Sequence, residues 1–206
     1  MAQATSSPYP VTIRGELTDP INRWLFLVKW LLIIPHVVVL AFLYVGLIVA
    51  WVISLFAILF TGRYPRGLFD FNVGVLRWSW RVGFYSYYAL GTDKYPPFSL
   101  AKKDDYPADL DVEYPEKLSQ GLVLVKWWLL AIPHYLIVGV LQGTSGYSSG
   151  GLLIVLVLIA AVVNLFTGRY PKDIWELVMG INRWGYRVCG YAVLVTDQYP
   201  PFRFGE

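Results

Sequence analysis

Charge is what this 206-residue chain has least of. Lys, Arg, Asp and Glu make up 15% of it, against roughly a quarter in soluble domains. The shortage is concentrated: Trp30 to Gly62 and Trp127 to Gly168 contain none of the four. Cysteine is almost missing too. Cys189 stands alone, so no internal disulfide forms and the redox compartment stays open. Two histidines, no cysteine pair and no carboxylate in the charge-free stretches argue against a metal site. A net charge of +3 is too mild to argue for nucleic acid. There is no G-x-S-x-G, P-loop or H-E-x-x-H motif. The expectation is therefore no enzymatic activity and no cofactor. The opening MAQATSSPYP lacks a basic segment followed by an apolar one. That predicts no cleaved signal peptide, with the first hydrophobic helix as the insertion signal.

What is present is apolar and aromatic. Hydrophobic residues reach 56% and aromatics 17%, with nine Trp and fifteen Tyr, and the mean hydropathy is +0.50. Trp and Tyr combine an apolar body with a polar edge, which suits a membrane–water boundary.

The chain repeats itself. Tyr9 to Trp30 aligns without a gap to Tyr106 to Trp127. I-P-H at Ile34 to His36 recurs at Ile132 to His134, and F-T-G-R-Y-P at Phe60 to Pro65 recurs at Phe166 to Pro171. Arg77-Trp78 and Arg81 match Arg183-Trp184 and Arg187; T-D-K-Y-P-P-F at Thr92 matches T-D-Q-Y-P-P-F at Thr196. Five motifs in one order define two copies, residues 1–101 and 102–206. Copy 2 carries extra residues in the Gly/Ser-rich segment Gln142 to Gly151.

Each charge-free stretch is too long for one span of about 20 residues and fits two. The expected fold is an all-α membrane protein of two tandem repeats. Each repeat is a transmembrane helical hairpin plus an interfacial amphipathic helix, with short cytoplasmic β-strands. The hairpins fall at about 22–61 and about 119–167, turning near Tyr44 to Gly46 and at Gln142 to Gly151. All 17 Lys and Arg lie outside the charge-free stretches. The positive-inside rule then predicts a multi-pass plasma-membrane protein with both termini cytoplasmic.

The segments about 66–90 and about 172–195 are read as interfacial. Arg66, Asp70, Arg77 and Arg81 fall within a stripe about 60° wide at helical spacing, and Lys172, Glu176, Arg183 and Arg187 take the same positions. Spanning, the alternative, would bury two Arg at roughly 2.5–3.5 kcal/mol each. Alternation in Val11, Ile13 and Leu17, and in Leu110, Val112 and Tyr114, predicts two half-exposed strands.

Candidate lipid-headgroup contacts are Arg63, Tyr64, Arg77, Arg81, Arg169, Tyr170, Arg183 and Arg187, since an Arg can bind a lipid phosphate bidentately. In T-G-R-Y-P, glycine suits a left-handed helix cap and proline forbids continuation. His36, His134 and Asn164 form a candidate intramembrane polar site. Each His follows a proline that kinks its helix and frees the carbonyl four residues back; either ring could serve a proton relay or ligand contact, or simply bond a neighbouring helix.

The pairing of K-W…I-P-H (Lys29, Trp30, Pro35, His36) with T-G-R-Y-P (Thr61 to Pro65) and Y-P-P-F (Tyr95 to Phe98), repeated in copy 2, resembles a family of small actinobacterial membrane proteins catalogued as a domain of unknown function. The resemblance implies architecture and carries no activity. The expected role is a non-enzymatic, lipid-interacting scaffold or accessory subunit of a cell-envelope membrane assembly. Its expected partners are anionic lipids, a protein of that assembly and further copies of the chain. The alternative is a small oligomeric transporter or channel using the paired Pro-His kinks, with a membrane enzyme third.

Overall fold

The computed structural model describes residues 9–143 and 151–205. Strand β1 (Val11–Gly15) precedes helices α1 (Phe26–Leu32), α2 (Ile34–Thr61) and α3 (Arg66–Tyr85). Strand β2 (Ala108–Val112) precedes α4 (Leu122–Leu130, wound as a π-helix from Lys126), α5 (Ile132–Gln142), α6 (Leu152–Thr167) and α7 (Lys172–Ala192). The chain is mostly helical with one two-stranded sheet, and α2 is long and apolar enough to cross a membrane.

β1 and β2 pair antiparallel, Val11 with Val112, Ile13 with Leu110 and Gly15 with Ala108. Ile13 and Leu110 are equivalent in the two copies, so the register is symmetric about them. An antiparallel pair related in this way has its two-fold axis perpendicular to the sheet. The strands are also exchanged. β2, from copy 2, runs along α3 of copy 1: Val112 and Asp111 lie beside Phe69 and Val73, and Asp109 and Leu110 bond Arg77. β1, from copy 1, packs on α7, with Val11 close to Gly190. Val11, Ile13, Leu110 and Val112 are buried and Thr12, Arg14 and Asp111 are exposed, the period of two that the alternation predicts.

The two hairpins are not formed. In copy 1, α2 runs unbroken for 28 residues through Tyr44 to Gly46. It antiparallels α3, with His36 against Trp78 near the far end of α3 and Gly46 against Phe71 near its start. In copy 2, α5 follows the same direction along α7: His134 bonds Trp184, and Gln142, about two helical turns further on, bonds Ile181. α6 ends five residues before α7 begins, so it also runs opposite to α7. Two helices that both oppose α7 run head to tail, not back on each other. Gly151 sits against Leu141, Gln142 and Gly143, so the two ends of the Gly/Ser insertion touch. Residues 144–150, between them, lie outside the described residues. Hydropathy could not distinguish one 28-residue helix, about 42 Å long at 1.5 Å per residue, from two short ones.

α3 and α7, the segments expected to be interfacial, are largely buried within the protein. α3 and α7 are middle layers. The sheet covers one side of them, α2 and α5–α6 cover another, and the two helices meet through Trp80–Tyr186 and Phe84–Trp175 edge contacts at 5.3 and 5.7 Å. Arg77 and Arg81 of the charged stripe of α3 face the sheet, because β2 brings Asp109 and the Leu110 carbonyl to them.

Candidate functional site

At the start of α2, copy 1 assembles three of its motifs. The K-W lysine, Lys29, is fully buried. Its ammonium donates to the Thr92 carbonyl at 2.7 Å, lies 3.1 Å from Asp93 Oδ1 and sits 4.6 Å over the Tyr85 ring. Burial lowers its pKa, and the adjacent Asp93 carboxylate pushes it back up. Asp93 also caps the chain entering α1 by accepting from the Asn22 amide at 2.5 Å. Copy 2 repeats this with Lys126, which reaches Thr196 O at 2.9 Å and Asp197 at 2.7 Å, while Asp197 accepts from the Ser119 amide. A buried lysine is tolerated only when so paired. The recurrence of K-W and T-D in both copies is the sequence signal for these ion pairs.

The helix breaks beside both Pro35 and Pro133, as the prolines lead one to expect. Each lies in the first turn of a new one, after a break at Ile33 or Ala131, where a missing N–H costs nothing. The break in copy 2 bends the path by 42°. The Y-P-P-F tyrosines close it: Tyr95 donates to Leu32 O at 2.9 Å and Tyr199 to Leu130 O at 3.2 Å. The histidines sit behind them. Trp78 donates its indole N–H to His36 Nδ1 at 3.1 Å, Phe98 stacks on the ring at 3.9 Å, and Tyr95 tilts against it at 4.9 Å. Trp184, Phe202 and Tyr199 do the same to His134, at 3.0, 4.2 and 4.8 Å. Both rings are buried, and each is enclosed by residues of its own copy. The two Pro-His elements therefore build two closed aromatic clusters rather than one shared site. Asn164 is buried in α6, beside Lys29 and Ile21 of copy 1, and does not join either histidine.

The T-G-R-Y-P motifs hold the copies together. Gly62 and Gly168 adopt φ of 68° and 72°, the left-handed cap expected of them. Tyr64 is buried and donates to Val193 O of copy 2 at 3.3 Å, while Tyr170 is buried and donates to Ala89 O of copy 1 at 3.0 Å. Val193 and Ala89 are equivalent positions, so the bonds are reciprocal. Tyr9 and Tyr106 reciprocate likewise, onto Gln198 O and Lys94 O at 3.0 and 3.2 Å. Buried tyrosine hydroxyls of this kind are cross-braces and do not reach headgroups.

The arginines divide. Arg81 is fully buried against Asp109, Ser99 O and Ala101 O, and Arg77 bonds Leu110 O, Leu100 O and Asp109. Arg187 is buried and lies over the Tyr9 ring, with a bond to Arg203 O, and Arg183 is half-buried beside it. Arg77, Arg81 and Arg187 are therefore structural, because the exchanged strands and the segments after Y-P-P-F cover them. Arg63 and Arg169, at the free ends of α2 and α6, are exposed.

The family follows from this arrangement of motifs. Two stretches, residues 23–99 and 123–203, match the family model described as Domain of unknown function (DUF4389). The chain belongs to the DUF4389 family, as two tandem copies. Both matches begin after the exchanged strand and end at or near the Y-P-P-F closure, so the strands lie outside the family unit. No curated protein and no solved structure matches the chain.

Proposed function

We propose that this DUF4389 chain is a non-enzymatic, lipid-embedded scaffold or accessory subunit of a cell-envelope membrane assembly, lying with one face in one leaflet. The observation that carries this reading is the division of the molecule into two unlike faces. On one side the sheet presents Thr12, Arg14 and Asp111 to solvent. On the other, α2 and α5–α6 expose Phe42, Val49, Phe56, Leu136, Ile159 and Phe166, with no charge between Trp30 and Gly62 or between Trp127 and Gly168. Only 22% of the most apolar window of α2 is buried within the protein. Soluble monomers seldom expose a contiguous apolar patch larger than a few hundred Å², so a face of this kind points to a membrane or a partner.

Geometry favours lying flat over spanning. β2 follows α3 along most of its length and α2 antiparallels α3, so α2 runs roughly parallel to the sheet. Setting α2 upright would carry the sheet, on the pseudo-two-fold axis, to the level of the bilayer centre. Arg14 and Asp111 would then meet hydrocarbon at roughly 2.5–3.5 kcal/mol each. Lying flat, the same charges stay in water, and the multi-pass arrangement gives way to a one-sided one with both termini on the cytoplasmic face. Exposed Arg63 and Arg169 then sit at the rim, placed for anionic headgroups. The sheet face is left for a protein partner. The enclosure of His36 and His134 in separate clusters, one in each copy, favours the scaffold reading over a transporter with one central site.

Flotation with phosphatidylglycerol-containing vesicles tests the reading. The protein is expected to float and to resist extraction by high salt and by carbonate. Recovery from cell membranes is expected to yield bound lipid together with a partner or a higher oligomer. A monodisperse, lipid-free protein that stays in the aqueous fraction would contradict it.

A further inference from the structure

Between the first half of α2 and the end of α5 lies a cleft of about 340 Å³, roofed by α3 and α7 where the two copies meet. Its lining carries no charged side chain, unlike the clefts beside the sheet and around Asp93, which Arg, Lys and Asp line. Its walls are Leu40, Leu76 and Val82 with Gly185, and its polar groups are neutral: Ser79, Gln142 and Cys189 among them. The polar groups are already occupied in part, Ser79 with the Tyr44 hydroxyl at 2.7 Å and Gln142 with Ile181 O. Val37 and Tyr44 on its rim belong to the exposed apolar face of α2.

We propose that this cleft takes one acyl chain of a phospholipid from the leaflet in which the protein lies. The inference rests on the lipid-embedded reading. The lining excludes an ionic ligand, because a charge there would be desolvated without a partner. The volume lies at the small end of ligand sites, which suits one narrow chain rather than a ring system or a whole lipid. The cleft is continuous with the face that meets hydrocarbon, so a chain enters without crossing water. Its place at the α3–α7 meeting gives the bound chain contact with both copies. The chain would thus complete an interface that the exchanged strands close only on the sheet side.

A phosphatidylcholine carrying a diazirine midway along one chain, doped into vesicles holding the full chain, provides the test. Photolysis and peptide mapping are expected to place a saturable set of cross-links on Leu40, Val82 and Cys189, over a non-saturable background on Phe42 and Val49. Filling the cleft with Ser79→Leu or, separately, Cys189→Phe should lower the cleft cross-links about tenfold. The outer-face labels would remain as the check that each variant is folded and embedded. Labels confined to the outer face, or cleft labels indifferent to both substitutions, would overturn the proposal while leaving the membrane reading intact. Failure of the protein to float in the same preparation would overturn both.

Discussion

Copy 1 and copy 2 follow the same path in different ways. Copy 1 covers its apolar layer with one 28-residue helix; copy 2 covers it with 11 residues of α5 and 16 of α6, separated by an insertion whose ends touch. The difference teaches that continuity of this helix does not define the fold. What defines it is the row of contacts each apolar helix makes with the helix behind it, and the exchange of strands and tyrosines that locks the copies together. A second difference lies in that lock. Tyr64 also accepts from Asn72 at 2.7 Å, whereas the equivalent of Asn72 in copy 2 is Val178, so the two reciprocal bonds are not equal.

The largest effect should come from breaking the exchange on the copy 1 side. Asp109→Asn removes the carboxylate shared by Arg77 and Arg81, three groups that are nearly or fully buried. Breaking a buried pair costs about 3–5 kcal/mol, so a melting temperature lower by roughly 10 °C is expected in detergent. A variant that melts with the parent would show that β2 does not depend on that contact. Next in size, Tyr64→Phe should cost about 2 kcal/mol and Tyr170→Phe about 1 kcal/mol, because only the first also strands a buried amide. Equal losses, or the reverse order, would remove the distinction drawn between the two braces. Smallest should be excision of residues 144–150, joining Gly143 to Gly151. Its ends already meet, and loop closure depends only weakly on length, so a change under about 1 kcal/mol is expected. A large loss of helix by circular dichroism would show that copy 2 needs its break.

How much of this was legible follows from what each signal reports. The repeat, the left-handed glycines Gly62 and Gly168, and the proline stops were readable because they depend on a few neighbouring residues. So was the alternation of Val11 and Ile13. The hairpin was not readable. The insertion at Gln142 to Gly151 reads as a reversal in the sequence, and only the contacts of α5 and α6 with α7 show that the two helices continue in one direction. Periodicity likewise located the stripe of Arg77 and Arg81 without saying what covers it. The cover is a strand from the other copy, about thirty residues away in sequence. The Lys29–Asp93 and Lys126–Asp197 pairs join motifs still further apart, and a lysine beside an apolar run reads more readily as a membrane anchor than as a buried ion.

How α2 meets the membrane is decided at its two ends. With Cys189 replaced by alanine, Arg23→Cys and Arg63→Cys place single thiols on exposed residues before and after the long helix. Labelling sealed, oriented vesicles with a membrane-impermeant maleimide is expected to modify both positions from the same side, while Val49→Cys stays unlabelled from either. Modification of the two positions from opposite sides would contradict the account, because α2 would then cross the bilayer.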